Sequence, residues 1–208
     1  SGVAGHQISH SMGVEIDYAE IKNLEDGTYN WRAFRGREGY SLYLNSTSGE
    51  AVNDSYGGIK SNDKDTVTPE GLIVNALDKE IIMYYKCKSE TFTIGTYNGT
   101  GVAGNFIETK DVNGVARKPR RVTTKMISST SDWVTFDSER GGIYSIHFNS
   151  TDIEGTNHSI SFESDGFDIL ETDVTYNALN GTYLYLVEFD TDNTGTDGSY
   201  FDMATDTT

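Results

Sequence analysis

Proline and cysteine are almost missing from this sequence: two and one, respectively, among 208 residues. A lone Cys87 excludes an intrachain disulfide. Because it follows an apolar run, it is expected as a buried thiol, and the fold must hold by packing without covalent staples. Basic residues are scarce as well. Sixteen Lys and Arg stand against 32 Asp and Glu, a net charge of −16. A nucleic-acid binder needs a basic face to displace counterions, so that partner class is set aside. No stretch approaches the roughly 18 apolar residues of a helical span, and no membrane insertion is expected. A long amphipathic helical period is missing too, as are a Gly-x-Ser-x-Gly elbow, a phosphate loop and a dinucleotide fingerprint.

What is present is strand and turn vocabulary. Tyr (13) and Gly (22) are abundant beside Thr, Ser and Asn, and aromatics at 12% argue against disorder. Tyr40, Leu42 and Leu44 alternate onto one face of a strand. Tyr144, Ile146 and Phe148 do the same, with His147 opposite. Ile81-Ile82-Met83-Tyr84-Tyr85 and Tyr183-Leu184-Tyr185-Leu186-Val187 are continuous runs, expected as central strands buried on both faces. Thr68-Pro69-Glu70-Gly71 is expected to start a turn or a single helical turn. Many short strands parted by turns predict an all-β fold of sandwich or jelly-roll type.

The strand signals recur in order. Gly2-Val3-Ala4-Gly5 returns as Gly101-Val102-Ala103-Gly104, and Gly13-Val14 as Gly114-Val115. Trp31 with Phe34 returns as Trp133 with Phe136. Tyr40 before Asn45-Ser46-Thr47 returns as Tyr144 before Asn149-Ser150-Thr151, and Asn75-Ala76-Leu77 as Asn177-Ala178-Leu179. Collinear matches of this kind predict two tandem β-sandwich modules from an internal duplication, residues 1–88 and 89–190, followed by an acidic tail, 191–208. The second copy opens with an alternating strand at residues 91–97, containing Phe92 and Ile94. The first has no such segment, so one of its edges is expected to pair with another chain, with preceding sequence, or with the tail around Tyr200-Phe201. The chain begins at Ser1 without Met, as expected of a processed chain or a segment of a longer polypeptide.

Few residues stand out as chemistry. Trp31 and Trp133 occupy equivalent places and are expected in the core. The alternative is a sugar-stacking platform at Trp31, with Tyr29, Arg35 and Arg37 supplying hydrogen bonds. Asp190, Asp192 and Asp197 alternate around a glycine, an oxygen-rich loop of the kind calcium takes; the other reading is a solvated acidic tail. The pairs His6/His10 and His147/His158 lack cysteine neighbours, which argues against zinc. The basic run Arg117-Lys118-Pro119-Arg120-Arg121 is expected as a solvated loop or charge-guarded edge strand, or else as a dock for an acidic neighbour or anionic glycan.

Taken together, Gly-Val-Ala-Gly, the Gly-Val step, Trp-x-x-Phe, the strand into Asn-Ser-Thr, and Asn177-Ala178-Leu179-Asn180-Gly181-Thr182-Tyr183 resemble a β-rich repeat of bacteriophage virion proteins, notably tail, fibre and appendage proteins of marine phages. The resemblance covers about residues 1–190. It implies a structural or adhesive role on the virion surface, in a tail fibre or spike that attaches to host-surface glycan. It also implies other virion chains as partners, commonly in homotrimers, with no catalytic residue and no required cofactor. Rival readings are a non-adhesive virion component, such as a capsid decoration or tail-tube projection, and a polysaccharide depolymerase using a carboxylate pair. With that resemblance, the Asn-x-Ser/Thr triplets at Asn45, Asn53, Asn98, Asn149, Asn157 and Asn180 are expected as Asn-rich turns.

Overall fold

The structure is a computed structural model that describes residues 7–25, 27–36, 39–52, 58–71 and 80–190. It is all-β. The first half supplies β1 (Ile8–Ser9), β2 (Tyr18–Asn23), β3 (Arg32–Phe34), β4 (Tyr40–Tyr43), β5 (Ala51–Val52), β6 (Gly58–Asn62), β7 (Thr66–Glu70) and β8 (Ile81–Lys86). The second supplies β9 (Phe92–Asn98), β10 (Asn105–Glu108), β11 (Pro119–Met126), β12 (Trp133–Asp137), β13 (Ser145–His147), β14 (Ile160–Glu163), β15 (Gly166–Ile169) and β16 (Thr182–Phe189). The one helical turn, α1 (Val174–Asn177), is capped by Asp173, whose side chain accepts from the Thr175 amide.

These strands form four antiparallel sheets. The first half holds a five-stranded sheet, β5-β4-β3-β2-β8, and a three-stranded sheet, β1-β7-β6. The second holds β13-β12-β11-β16-β9 and β10-β15-β14. The internal orders correspond: β4-β3-β2-β8 with β13-β12-β11-β16, and β1-β7-β6 with β10-β15-β14. The large sheets differ at their ends, where the first adds β5 beyond β4 and the second adds β9 beyond β16. Local bonds correspond as well. Lys22 donates to the Tyr29 carbonyl and Lys125 to that of Ser131, each acceptor two residues before a Trp.

Period-two alternation decides what each strand buries. In β2, Ala19 and Ile21 face the first three-stranded sheet and pack with Phe34, Ile59 and Val67, while Tyr18 points the other way. In the second half, Val122, Phe136, Phe167, Ile169, Tyr183 and Val187 fill the equivalent space. A third cluster joins the halves: Tyr18, Ala33 and Leu42 of the first large sheet meet Phe92, Ile94, Ile127, Trp133 and Leu184 of the second. The layers therefore run small, large, large, small. The segment after β4 is bonded across this junction. Ser131 N donates to Thr47 O (2.8 Å) and Glu50 N to Ile127 O (2.9 Å). The Lys125 ammonium reaches Thr47 O at 2.9 Å. Gly49 is required there, since a Cβ would lie 2.8 Å from the Ser129 carbonyl oxygen.

Several expectations are corrected. The run Ile81–Tyr85 is not a central strand among the described residues: β8 ends its sheet there and is only partly buried. The twin run does form the central strand β16, because β9 covers its outer side. Residues 68–70 continue β7 and do not turn; Pro69 fits because β1 pairs only with Val67 and Thr66, leaving the proline nitrogen on an open edge. The basic run begins as a loop, with Lys118 exposed, but is not an edge strand. It leads into β11, which lies between β12 and β16, and two of its cations meet carboxylates of this same chain closely: Arg117 with Asp111 (2.7 Å) and Arg121 with Glu188 (2.5 Å). Cys87 is a buried thiol as expected, and burial raises its pKa. The segments 2–5 and 75–77, Asn53 and the tail 191–208 lie outside the described residues. Among the described residues, no helix is long and apolar enough to cross a membrane.

Candidate functional site

The two tryptophans are buried to different degrees. Trp133 opens β12 and is fully buried in the junction, its indole N–H donating to Tyr43 O at 2.8 Å. Trp31 precedes β3 and is partly buried, outside the three core clusters, so only Trp133 is core in full. Trp31 stacks on Tyr84 of β8, with centroids 6.1 Å apart and planes 19° from parallel. Tyr84 is 56% exposed. Lys22, on the intervening β2, is tied to the Tyr29 carbonyl beside them. The result is an aromatic shelf on a rigid sheet face.

Of the other residues expected around Trp31, none joins this shelf. Tyr29 packs against the first core. Arg35 is clamped by Glu50 through two bonds, Nε to Oε1 at 2.6 Å and Nη2 to Oε2 at 2.8 Å, in a largely buried pair. Arg37 lies outside the described residues. Sequence reading missed Tyr84 and Lys22. They reach Trp31 only through the β2–β8 register, which sets Lys22 opposite Ile82 and Glu20 opposite Tyr84; the one available signal was a pair of tyrosines in an otherwise aliphatic run.

A second feature lies between the two large sheets. Tyr18, Glu20, Lys86, Arg121, Trp133 and Glu188 are among the residues lining a cleft with about 60 Å³ of free space. That suffices for waters and is far below the roughly 300 Å³ of a small-molecule pocket. Its charges satisfy one another. Lys86 pairs with Glu188 at 2.8 Å, Arg121 with Glu188, and Tyr18 donates to Glu20 at 2.8 Å. Burial alone would raise the Glu188 pKa, but the hydrogen bond and charge of Lys86, with Arg121, outweigh it and hold the carboxyl below its usual range.

His147 and His158, far apart in sequence, meet with ring centroids 5.4 Å apart. His158 also lies edge-on to Tyr176 and 3.8 Å from Asp173. Burial, more than any neighbour, lowers the His158 pKa. His10, whose expected companion His6 lies outside the described residues, reaches the Asp63 carbonyl at 3.1 Å. Among the described residues no group of three or more His, Cys, Asp or Glu is placed to hold a metal ion. Asp190 is exposed, with Arg120 at 3.9 Å; Asp192 and Asp197, the other expected calcium ligands, lie outside the described residues.

No curated protein and no solved structure matches the chain. Residues 1–190, the span of all four sheets, match a family described as a domain of unknown function, DUF7483. The chain belongs to the DUF7483 family.

Proposed function

We propose that this chain is a structural and adhesive module of a phage virion appendage, of tail-fibre or spike type, built by internal duplication of one β-sandwich unit. It sits on the virion surface among other virion chains, as a homotrimer in the usual manner of such appendages, and contacts host-surface glycan through the Trp31–Tyr84 shelf. The observation that carries the adhesive part is the shelf itself. Two stacked rings beside a lysine, Tyr84 exposed and Trp31 partly so, suit the apolar face of a pyranose and its hydroxyls. The corresponding strand orders and the Lys22/Lys125 bonds support the duplication. The virion setting is supported by the sequence resemblance.

A depolymerase has less support. It needs a carboxylic acid held protonated at neutral pH. Among the described carboxylates with displaced pKa, Asp63, Asp111, Asp173 and Glu188 are all shifted down. The test is a glycan array probed with wild type and Trp31→Ala. Binding by wild type that is lost in the variant is the expected result. Binding that survives the substitution refutes the shelf. No binding to any glycan favours the non-adhesive virion component, and reducing ends released from polysaccharide would favour the enzyme.

A further inference from the structure

Among the described residues the outer edge of β8 is open, and its counterpart in the second half shows what fits there. Each large sheet places a long aromatic strand beside its central one: β8 beside β2, and β16 beside β11. In the second half β9 then pairs along the outside of β16, from Tyr183 opposite Tyr97 to Glu188 opposite Phe92. Among the described residues no strand pairs along the outside of β8. The burial of the two strands records the difference. Tyr183 and Val187 are fully buried, whereas Ile81 and Tyr85, in the corresponding places, are only partly so.

The register identifies the open groups. Leu24 N donates to Glu80 O at 2.9 Å, which makes Leu24 and Glu80 a bonded pair. By antiparallel alternation, Ile82 and Tyr84 also turn their backbone groups toward β2. The N–H and C=O of Ile81, Met83 and Tyr85 therefore point off the sheet. In the second half the same alternation turns Tyr183, Tyr185 and Val187 toward β9, and Gly99 N donating to Gly181 O at 2.8 Å fixes that phase. Edges left open in monomers are normally guarded by charge, proline or a bulge. Ile81–Lys86 carries one charge and no proline.

We infer that β8 is an acceptor edge for an extended polypeptide strand with the side-chain pattern of β9, added antiparallel. In β9, Phe92 and Ile94 turn into the junction between the large sheets, and Tyr97 turns into the sandwich core. A strand so placed on β8 would flank Tyr84 with an apolar residue on one face and cover Ile81 and Met83 on the other. Gly95 is required in β9 because a Cβ there would strike the Tyr185 hydroxyl; Met83 takes that place in β8, so the added strand can carry a side chain at this position. Main-chain bonds would supply affinity and the alternate apolar residues specificity. The inference rests on the correspondence of strand orders and is independent of the glycan reading.

The test uses the full chain and a synthetic peptide of residues 90–99, read by hydrogen exchange at single amides. In the free chain at monomeric dilution, the Ile81, Met83 and Tyr85 amides should exchange fast, and saturating peptide should slow them at least about tenfold. Two control peptides should give no protection: one with Asp replacing both Phe92 and Ile94, and one with Gly95 N-methylated, which blocks the ladder. Unchanged exchange at millimolar peptide overturns the inference, as does protection already present in the free monomer. Equal protection by either control overturns it as well. Because Trp31→Ala leaves the β8 edge intact, its protection by peptide should persist whether or not glycan binding is lost, which separates this inference from the adhesive one.

Discussion

Replacing each tryptophan by alanine should give very different losses of stability. Trp133 is fully buried at the junction of two sheets. An indole buries roughly 200 Å², and at about 25 cal/mol per Å² its transfer contributes about 5 kcal/mol. Measured large-to-small changes of this kind fall at about 3–5 kcal/mol, since the cavity collapses in part. Trp133→Ala also leaves the Tyr43 carbonyl without the indole donor it now has at 2.8 Å, a further cost of about 1 kcal/mol. Trp31 is partly buried and stacks on Tyr84. Its loss should cost about 1–2 kcal/mol, a partial burial contribution plus an aromatic pair. Urea unfolding followed by tyrosine fluorescence and far-UV circular dichroism measures both. A gap of at least about 2 kcal/mol between the variants is expected. Equal losses would refute the account of how the halves pack, because Trp133 lies in the cluster that residues of both halves build. Trp133→Phe adds a check: it keeps a ring but no donor, and should fall between wild type and Trp133→Ala.

Other substitutions test the same junction and the buried titratable groups. Lys125 is fully buried with its pKa lowered by burial to about 8, and it donates to Thr47 O and Ser131 O. Lys125→Met removes the ammonium donor from Ser131 O and leaves Thr47 O with the Ser131 amide alone, should cost about 1–3 kcal/mol, and should speed exchange at the Ser131 and Glu50 amides. Gly49→Ala should destabilise the chain, since the Ser129 backbone oxygen 2.8 Å from the new carbon cannot rotate away; a thermal melt unchanged from wild type would contradict that contact. His158 has a folded pKa below its unfolded value of about 6.5. The unfolded state then binds the extra proton first, so stability should fall as pH drops below about 6.5 and level off once the folded pKa is passed. His158→Gln should reduce that fall between pH 7.5 and 5.5, and NMR titration should place the His158 midpoint below that of a free histidine. Asp111 acts in the same direction at lower pH: its hydrogen bond from Arg117 lowers its pKa, so its contribution is present above the unfolded carboxylate value and lost in acid. Arg117→Met should flatten that acid limb of a stability–pH curve.

Period and composition carried the local reading a long way. Alternation in residues 40–44 and 91–97 anticipated two strands, one turning Leu42 and the other Phe92 and Ile94 to one face, and all three are buried in the junction. The all-β class follows from the same signals. What the sequence did not reveal is which strands have neighbours. Ile81–Lys86 and Thr182–Phe189 read alike, yet among the described residues one is an edge and the other is central, a difference made by β9 beside the second. The full burial of Trp133 was illegible for the same reason, since its indole N–H is met by Tyr43, 90 residues away. Arg35 beside Trp31 looked like a ligand contact, but its partner Glu50 arrives through the turn after β4. The shelf itself needed the β2–β8 register to bring Tyr84 to Trp31.

Under the proposed duplication, Lys86 and Glu188 are one position occurring twice, and they touch each other at 2.8 Å. A position that meets its own copy lies on a local two-fold axis. In a dimer of identical units that position would set lysine against lysine, or glutamate against glutamate. Two copies joined in one polypeptide escape this restriction, because each can drift to the opposite sign. The charge pair then acts as a polarity mark: a first half repels another first half at this point and accepts a second half. In an extended array of such units, it would enforce alternation along the fibre before any other contact is made.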